Sequence, residues 1–260
     1  MAVPHLIGLT TATPEELASS DRVVILGSAL GTTTGLWDLA LPAIASEYLV
    51  VRFDLPGHGQ SPIAESDFTL SELADGVIAL ADSLGITRFD YAGVSVSGAI
   101  ALELASRYPD RVKHAAVVCS GPYFGGPDAW AERMDQVRSA GTASLVTALP
   151  ARWFADDFIT QDPGSVEKLL NMVASTTDEG YIQVCHALGT YDARGYLSEI
   201  SVPVLVISGE LDPGATPEAG AIIVQNAPGA RQIVIAHASH QAVVEKPLEV
   251  AKDLVEFFSN

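Results

Sequence analysis

The feature that most constrains the fold of this chain is a regular alternation of short apolar runs with longer stretches of helical periodicity. Six runs have the length and composition of buried strands, and they lie at residues 22–28, 48–54, 88–93, 112–121, 203–212 and 231–240. Helical patterns follow at residues 70–85, in the stretch up to Arg107, and at residues 248–258. Strands that alternate with helices predict an α/β protein whose mostly parallel sheet is covered by helices on both faces.

One long stretch interrupts this alternation. Between residues 122 and 197 there is no convincing buried strand, and the sequence instead carries helical patterns and two of its three tryptophans, Trp130 and Trp153. We therefore predict an α/β core built from residues 1–121 and 198–260, with a helical cap formed by residues 122–197 over the strand ends. A chain of 260 residues with 48% hydrophobic composition is long enough to bury such a core.

Composition limits the partners of this chain. With 32 acidic and 14 basic residues, its formal net charge of -18 disfavours nucleic acid and anionic membranes. It has no run of eighteen apolar residues and no basic, apolar start, so we expect no membrane span and a cytoplasmic location. Its two cysteines, Cys119 and Cys185, are too few for a disulfide framework or a zinc site, so no metal is expected. None of these features specifies an oligomeric state.

Two serines stand where the third apolar run meets a helical pattern, in the stretch GVSVSG at residues 93–98. A nucleophilic serine at a sharp strand-to-helix turn needs small residues two positions before and after it, because strand and helix approach closely there. Ser95 meets this condition with Gly93 and Ser97, whereas Ser97 would already lie inside the helix. Ser95 is therefore the candidate nucleophile; the alternative is that it only caps the helix.

A nucleophilic serine requires a base, and the base requires an acid that orients it. Asp212 and His240 end the last two apolar runs, at the edge where parallel sheets place their sites. Either residue alone could belong to an ordinary turn or surface. The order serine, acid, histidine predicts a catalytic triad of Ser95, Asp212 and His240. His237 and Glu210 are the competing base and acid, and we rank both lower.

Acyl transfer also requires two N–H donors for the developing oxyanion. We expect one from the backbone of Val96 and the other from Ala29, in the loop GSALG after the first apolar run. His58, in the loop DLPGHGQS, is interpreted as structural. Because serine is small, Ser97 is expected to leave the turn intact, with its hydroxyl capping the helix or touching the pocket. A Ser97→Gly variant is accordingly expected to retain activity.

These motifs resemble those of the α/β-hydrolase family. The matching segments cover nearly the whole chain from about residue 22: GSALG, DLPGHGQS, GVSVSG, ASRYPDRVKHAAVVCS, PVLVISGELDP and ASHQAVVEKP. The similarity is strongest to the 3-oxoadipate enol-lactonases, through GSALGTTTGLWD, GPDAWAERMDQVRSAG, LPARWFADDF and TTDEGYIQVCHAL. The chain departs from their pattern at Gly27-Ser28-Ala29, where they have Ser-Asn-Ser, and at Ser97, where they have glycine. The resemblance implies hydrolysis of a small lactone or ester in aromatic catabolism, without a cofactor.

The substrate that this resemblance implies carries a carboxylate, which a chain of net charge -18 repels at long range. A local cation is then needed, and Arg133 and Arg152, beside Trp130 and Trp153, are the candidate substrate-binding residues. The alternative is that the arginines are surface charges and the tryptophans form the core of the cap.

Three other functions are compatible with the same residues. A general carboxylesterase and a C–C bond hydrolase would use the same triad, and a non-catalytic ligand-binding protein could retain the fold of a hydrolase. Related enzymes with an aspartate nucleophile are disfavoured by Ser95.

Overall fold

A computed structural model describes residues 3–260, so residues 1 and 2 of the predicted core lie outside the described residues. Within that range a seven-stranded sheet has the order β1-β3-β2-β4-β5-β6-β7. The strands are β1 (Gly8–Thr10), β2 (Val23–Gly27), β3 (Leu49–Phe53), β4 (Phe89–Val94), β5 (Val112–Val118), β6 (Val204–Gly209) and β7 (Arg231–Ile235). Neighbouring strands are parallel except β1, which is antiparallel to β3. The predicted α/β fold class is confirmed.

Helices occupy the connections between these strands. In chain order they are α1 (Pro14–Ser19), α2 (Leu41–Ala45), α3 (Leu70–Ser83), α4 (Val96–Arg107), α5 (Pro127–Ala140), α6 (Pro150–Trp153), α7 (Asp156–Gln161), α8 (Pro163–Ser175), α9 (Asp178–Gly189), α10 (Pro217–Asn226), α11 (Ala242–Glu245) and α12 (Pro247–Phe258). Helix α3 illustrates how the sequence sets their bounds. Thr69 and Glu72 form a reciprocal capping box at its start, and Gly85 follows its end with a φ of +71°.

The central strands are buried on both faces. Every residue of β2, β4 and β6 is buried, in keeping with their apolar composition. Helix α2 packs against α12, while α3 packs against α4, which also lies against β4 and β5. Helices therefore hold the sheet rigidly and leave the ends of its strands as the accessible edge.

The strand order creates a crevice at one place on that edge. The chain leaves β2 toward β3 on one side and leaves β4 toward β5 on the other, so β2 and β4 are neighbours whose connections diverge. Such a switch point is where open α/β sheets bind ligands. Gly27 pairs with Gly93 at the carboxyl ends of the two strands. The loop after β2 therefore begins directly beside the turn into α4.

Unusual backbone conformations also concentrate at this edge. Among the described residues, three that are not glycine have positive φ, namely Ser95 (+57°), Cys119 (+45°) and His237 (+56°). They follow β4, β5 and β7. Positive φ is unfavourable for a residue with a side chain and persists where surrounding structure enforces it. The carboxyl edge of the sheet is therefore the strained part of the fold.

Between β5 and β6 the described chain carries helices α5 to α9 and no named strand. Helix α5 packs along α9, and α8 packs against a short 3₁₀ turn at Thr142–Leu145. The predicted division into a core at 1–121 and 198–260 and a cap at 122–197 remains a prediction. No helix within residues 3–260 combines the length and apolar character needed to cross a bilayer.

The strand expectations differ from the structure in two respects. Strand β1 was not predicted, because its three residues are partly or fully exposed at the sheet edge and show no apolar run. The runs at 112–121, 203–212 and 231–240 extend beyond β5, β6 and β7, because the residues after each strand form turns rather than sheet.

Candidate active site

Three side chains from different strand ends form a hydrogen-bonded chain. His240 Nδ1 lies 2.7 Å from Asp212 Oδ2, and His240 Nε2 lies 3.1 Å from Ser95 Oγ. A carboxylate only accepts hydrogen bonds, so Nδ1 carries a proton that it donates to Asp212. In the neutral imidazole, Nε2 is then free to accept the hydroxyl proton of Ser95. The structure thus brings together the three residues that the sequence assigned to the triad.

The backbone at Ser95 makes the sharp turn from β4 into α4. Its φ and ψ are 57° and -116°, and its side chain makes no capping hydrogen bond to the helix. The Ser95 N–H donates to the carbonyl of Val118 at 2.8 Å, and its own carbonyl accepts from Ser120 Oγ at 2.6 Å. Glycine is required at position 93, since a Cβ there would lie 2.0 Å from the carbonyl oxygen of Ser97. Neighbouring strands therefore hold Ser95 in its strained conformation.

Asp212 has a fully buried side chain whose other oxygen is also engaged. Its Oδ1 accepts the backbone N–H groups of Gly214 and Ala215, both at 2.9 Å. Burial alone would raise the pKa of Asp212, but the charge and hydrogen bond of His240, with these two N–H groups, hold it below its usual value. The carboxylate therefore stays charged and orients the imidazole.

The competing base and acid face solvent. The His237 side chain is 78% exposed, and its backbone N–H donates to Glu210 Oε2 at 2.8 Å. Neither residue lines the cavity that contains Ser95.

Two backbone N–H groups beside Ser95 have no acceptor. Among the described residues, no hydrogen bond engages the N–H of Ala29 or of Val96. The carbonyl of Ala29, by contrast, accepts both the N–H and the hydroxyl of Thr32. The first turn of α4 also favours negative charge near Val96 through the helix dipole. This pair of free donors is the arrangement that an oxyanion requires.

His58 supports the loop that carries Ala29. Its side chain is fully buried, with Nδ1 2.8 Å from the carbonyl of Pro56 and Nε2 accepting the N–H of Gly31 at 3.0 Å. Burial lowers the pKa of His58 to about 4, so the ring is neutral and both nitrogens are used. The His58 ring forms no hydrogen bond with Ser95, Asp212 or His240, which agrees with its interpretation as structural.

Ser97 is fully buried and does neither of the two things expected of it. Its hydroxyl donates to the carbonyl oxygen of Ser28 at 2.6 Å, so it neither caps α4 nor lines the cavity. The expectation was wrong because Ser28 is distant in sequence, and only the β2–β4 pairing brings it to the start of α4.

Ser95, Asp212 and His240 open into a cavity of about 350 Å³ between the sheet edge and the helices of the inserted segment. We call Ala29, Ser95, Val96, Asp212 and His240 the core wall, and Trp130, Arg133, Arg152, Trp153 and Tyr181 the cap wall. Except for Val96, these residues all line the cavity, together with Leu30, Tyr123, Phe124, Gly125, Ala129, Leu188, Pro213, Gly214 and Ala215. The only acidic side chain among the lining residues of the described chain is that of Asp212.

Two positive charges in the cap wall lack an acidic partner. Within residues 3–260, neither Arg133 nor Arg152 forms a salt bridge. The Arg133 guanidinium lies over the ring of Trp130, 5.8 Å from its centroid, and 3.5 Å from the Tyr181 hydroxyl. Burial raises the pKa of Tyr181 to about 12, partly opposed by the charges of the two arginines, which line the same cavity. The cavity is thus electropositive in a strongly acidic protein.

Glu245 was not singled out from the sequence, yet it connects the two walls. Its Oε1 accepts the N–H of Ser239, next to His240, and its Oε2 accepts the N–H of Ala155, close to Trp153. Burial raises its pKa, opposed in part by these two N–H donors. The only sequence signal was a carboxylate in the apolar stretch QAVVEKP shortly after His240.

Comparisons with known proteins place this architecture among characterised folds. A family model described as the α/β-hydrolase fold matches residues 22–247. The chain is 33% identical to 3-oxoadipate enol-lactonase 1 of Acinetobacter baylyi over 86% of its own length and 84% of that protein. It is 26% identical to a pimeloyl-[acyl-carrier protein] methyl ester esterase of Aeromonas hydrophila over 90% and 94% of the two chains. The crystal structure of an enol-lactonase from Burkholderia xenovorans superposes with a TM-score of 0.93 at 30% identity, covering 98% of this chain and 96% of that one.

Proposed function

The chain belongs to the α/β-hydrolase family and is a hydrolase, and we propose that it cleaves a small lactone or ester bearing a carboxylate, as an enol-lactonase does. The observation that carries this proposal is the Ser95–His240–Asp212 chain of hydrogen bonds at the floor of a cavity with two unpaired arginines. Similarity to the named enol-lactonases supports the substrate class.

The first chemical step would be attack by Ser95. Nε2 of His240 takes the hydroxyl proton while Oγ bonds to the substrate carbonyl carbon, and the C=O electron pair moves onto its oxygen. Asp212 holds the Nδ1 proton in place and stabilises the imidazolium that forms. The hydrogen-bonded distances of 3.1 and 2.7 Å support these roles.

The negative oxygen formed in this step would accept the N–H groups of Ala29 and Val96. As the intermediate collapses, the carbon–oxygen bond to the leaving group breaks, and His240 returns its proton to that oxygen. In a lactone the leaving oxygen remains tethered to the acyl group. Water, deprotonated by His240, then attacks the acyl-enzyme; the ester bond to Ser95 breaks, releasing the acid and restoring the hydroxyl.

The cap wall would select the substrate. Arg133 and Arg152 offer guanidinium groups that can pair with a carboxylate through charge-assisted hydrogen bonds. Trp130 and Trp153 supply apolar area for the ring or chain between carboxylate and scissile bond. Since the net charge of the protein is -18, this local pair of cations is what would draw an anion into the site.

A hydrolysis screen tests the proposal. Lactones and esters are assayed in matched pairs, one with a free carboxylate and one with a neutral carboxamide in its place, on the native protein and on Ser95→Ala. We expect turnover of the carboxylate member to exceed that of its neutral partner, and we expect Ser95→Ala to abolish both. Turnover that survives in Ser95→Ala would contradict the nucleophile, and equal turnover of both members would contradict the substrate class.

An activity probe separates this enzyme from a ligand-binding protein of the same fold. A fluorophosphonate that reacts with activated serines should label the native protein and leave Ser95→Ala unlabelled. A native protein that binds the carboxylate lactone but neither labels nor hydrolyses would favour the binding function.

A further inference from the structure

We propose that Ser97 is a positioning residue for the oxyanion hole, and this proposal rests on the serine-hydrolase function above. Ser97 holds the peptide unit that joins Ser28 to Ala29, whose N–H is one of the two candidate oxyanion donors. The Ser97 hydroxyl donates to the Ser28 carbonyl at 2.6 Å, and both side chains are fully buried.

The effect follows from the geometry of one peptide unit. In a trans peptide the C=O and the N–H point in opposite directions from the same rigid plane. Fixing the Ser28 carbonyl toward α4 therefore fixes the Ala29 N–H on the opposite side. Donation to the carbonyl also polarises the unit, which strengthens its N–H as a donor. Ser97 thus acts on the reaction without touching the substrate.

The surrounding loop is held in the same way at each neighbouring carbonyl. Trp37 Nε1 donates to Gly27 O at 3.1 Å, and Thr32 donates to Ala29 O through its N–H and its hydroxyl. Ser97 supplies the hydrogen bond to the carbonyl of Ser28, which lies between Gly27 and Ala29 in the chain. Because all three carbonyls are held, the orientation of the Ala29 N–H, which has no acceptor in the described chain, is fixed.

The space for Ser97 exists because Gly27 has no side chain. A Cβ at position 27 would lie 2.6 Å from the Cβ of Ser97 and 2.7 Å from its Oγ, closer than real atoms approach. Gly27 and Ser97 are two of the positions at which the sequence departs from the enol-lactonase pattern. The structure shows that they fit each other.

The test compares Ser97→Ala with the native protein. This substitution removes the hydroxyl and keeps the Cβ. We expect kcat to fall about tenfold with little change in KM, since a misaligned oxyanion donor costs less than a deleted one. We expect the affinity for a boronic acid, which mimics the tetrahedral oxyanion, to fall by the same factor. Ser208→Ala is the matched control, because it removes a fully buried hydroxyl of β6 that accepts from Gln232 at 2.9 Å and lies outside the cavity lining, and its kcat should remain native.

A second variant separates packing from hydrogen bonding. Combining Gly27→Ala with Ser97→Gly moves the Cβ from one side of the contact to the other and omits the hydroxyl. Because a Cβ at position 27 would also lie 2.7 Å from the Tyr91 hydroxyl oxygen, Tyr91→Phe is added. We expect this triple variant to fold and to share the kcat loss of Ser97→Ala. Ser97→Gly alone should show the same partial loss, so this variant is still expected to retain activity, at a lower kcat.

The outcomes are distinct from failure of the proposed function. Native kcat and native boronic-acid affinity in Ser97→Ala would overturn the positioning role while Ser95→Ala remained inactive. A rise in KM with unchanged kcat would also overturn it, because ground-state binding would then be the property affected. Turnover that survives in Ser95→Ala would instead refute the proposed function itself.

Discussion

The core wall and the cap wall of the cavity differ in how firmly their side chains are held. In the core wall, Asp212 accepts three hydrogen bonds and Ser95 is fixed through its N–H and its carbonyl. In the cap wall, the Arg133 side chain has one long hydrogen bond of 3.5 Å, and the exposed Arg152 side chain makes no hydrogen bond within residues 3–260.

Under the proposed function, this difference corresponds to two tasks, catalysis in the core wall and anion binding in the cap wall. Groups that stabilise developing charge must be fixed before the substrate arrives, because reorganising them would add to the barrier. Groups that only bind an anion can adjust as it enters. We therefore expect substitutions in the core wall to change kcat and those in the cap wall to change KM. The same division of tasks would allow proteins of one fold to act on different substrates, and the relatives of this chain include proteins named as lactonases and as esterases.

Ser95→Ala should have the largest effect. Removing the nucleophile is expected to lower kcat by about 10⁶-fold, as for loss of the serine in other triads. The residual rate of substrate turnover checks this value, and circular dichroism checks that the fold persists. Ser83→Ala, at an exposed serine of α3 that lies outside the cavity lining, is a control for loss of a serine hydroxyl, and it should retain labelling by the fluorophosphonate. If kcat in Ser95→Ala fell by less than tenfold, another group would have to be the one that attacks the substrate.

Asp212→Asn should follow. The amide cannot stabilise the imidazolium and favours the wrong tautomer of His240, so kcat is expected to fall by about 10⁴-fold. Steady-state kinetics measures this loss. Glu210→Gln is the matched control, because Glu210 is the neighbouring acid that lies outside the cavity. If the two variants lost activity equally, Asp212 would not be the orienting acid.

His58 tests the support of the core wall through stability rather than rate. Its pKa is about 4 in the folded protein and about 6.5 when unfolded, so only the unfolded chain takes up the proton between these values. His58 therefore makes the free energy of unfolding fall as pH falls through this window. From pH 7 to pH 4 the free energy of unfolding should decrease in both proteins, and we expect this decrease to be about 3 kcal/mol smaller in His58→Gln than in the native protein.

Urea denaturation at both pH values measures this difference. His5→Gln, at an exposed histidine, controls for loss of an imidazole. A native-like pH dependence in His58→Gln would show that folding does not lower the pKa of His58.

The cap wall should give the smallest change. Arg133→Ala and Arg152→Ala are each expected to raise KM for a carboxylate lactone about tenfold, with kcat within about twofold of native, since charged hydrogen bonds of this kind contribute about 1.5–3 kcal/mol. KM for the carboxamide analogue should not change. Arg138→Ala is the control: it lies on the same helix as Arg133, is 54% exposed and pairs with Asp135. An unchanged KM in both cavity variants would remove the arginines from the substrate site.

The strands of the sheet and the candidate residues Ser95, Asp212 and His240 could be predicted from the sequence, because both predictions depend on local patterns. Buried parallel strands have continuous apolar runs, and their ends could be located to within a few residues. Asp212 and His240 could be picked out because each follows such a run. His237 and Glu210 also follow these strands, and only the direction of their side chains, set by the turns after β6 and β7, excluded them.

The contacts that the sequence could not reveal join residues far apart in the chain. Ser97 meets Ser28 only through the β2–β4 register, and Glu245 meets Ala155 only because the inserted helices lie over the last loop. The number of residues between two positions in the sequence predicts neither the distance nor the direction between their side chains when they are far apart in the chain. The role of Arg133 and Arg152 was likewise open, because the sequence pattern of a helix does not show whether a charged side chain faces solvent or a cavity.

The contact between Gly27 and Ser97 also restricts the order in which this sequence can have evolved. A serine at position 97 fits only after the side chain at 27 has been lost, since a Cβ there would lie 2.6 Å from that of Ser97. The reverse history would pass through an overpacked intermediate, whereas glycine at both positions leaves only a small gap. An ancestor with glycine at both sites is therefore the accessible step, and reversion at position 27 is blocked for as long as Ser97 remains.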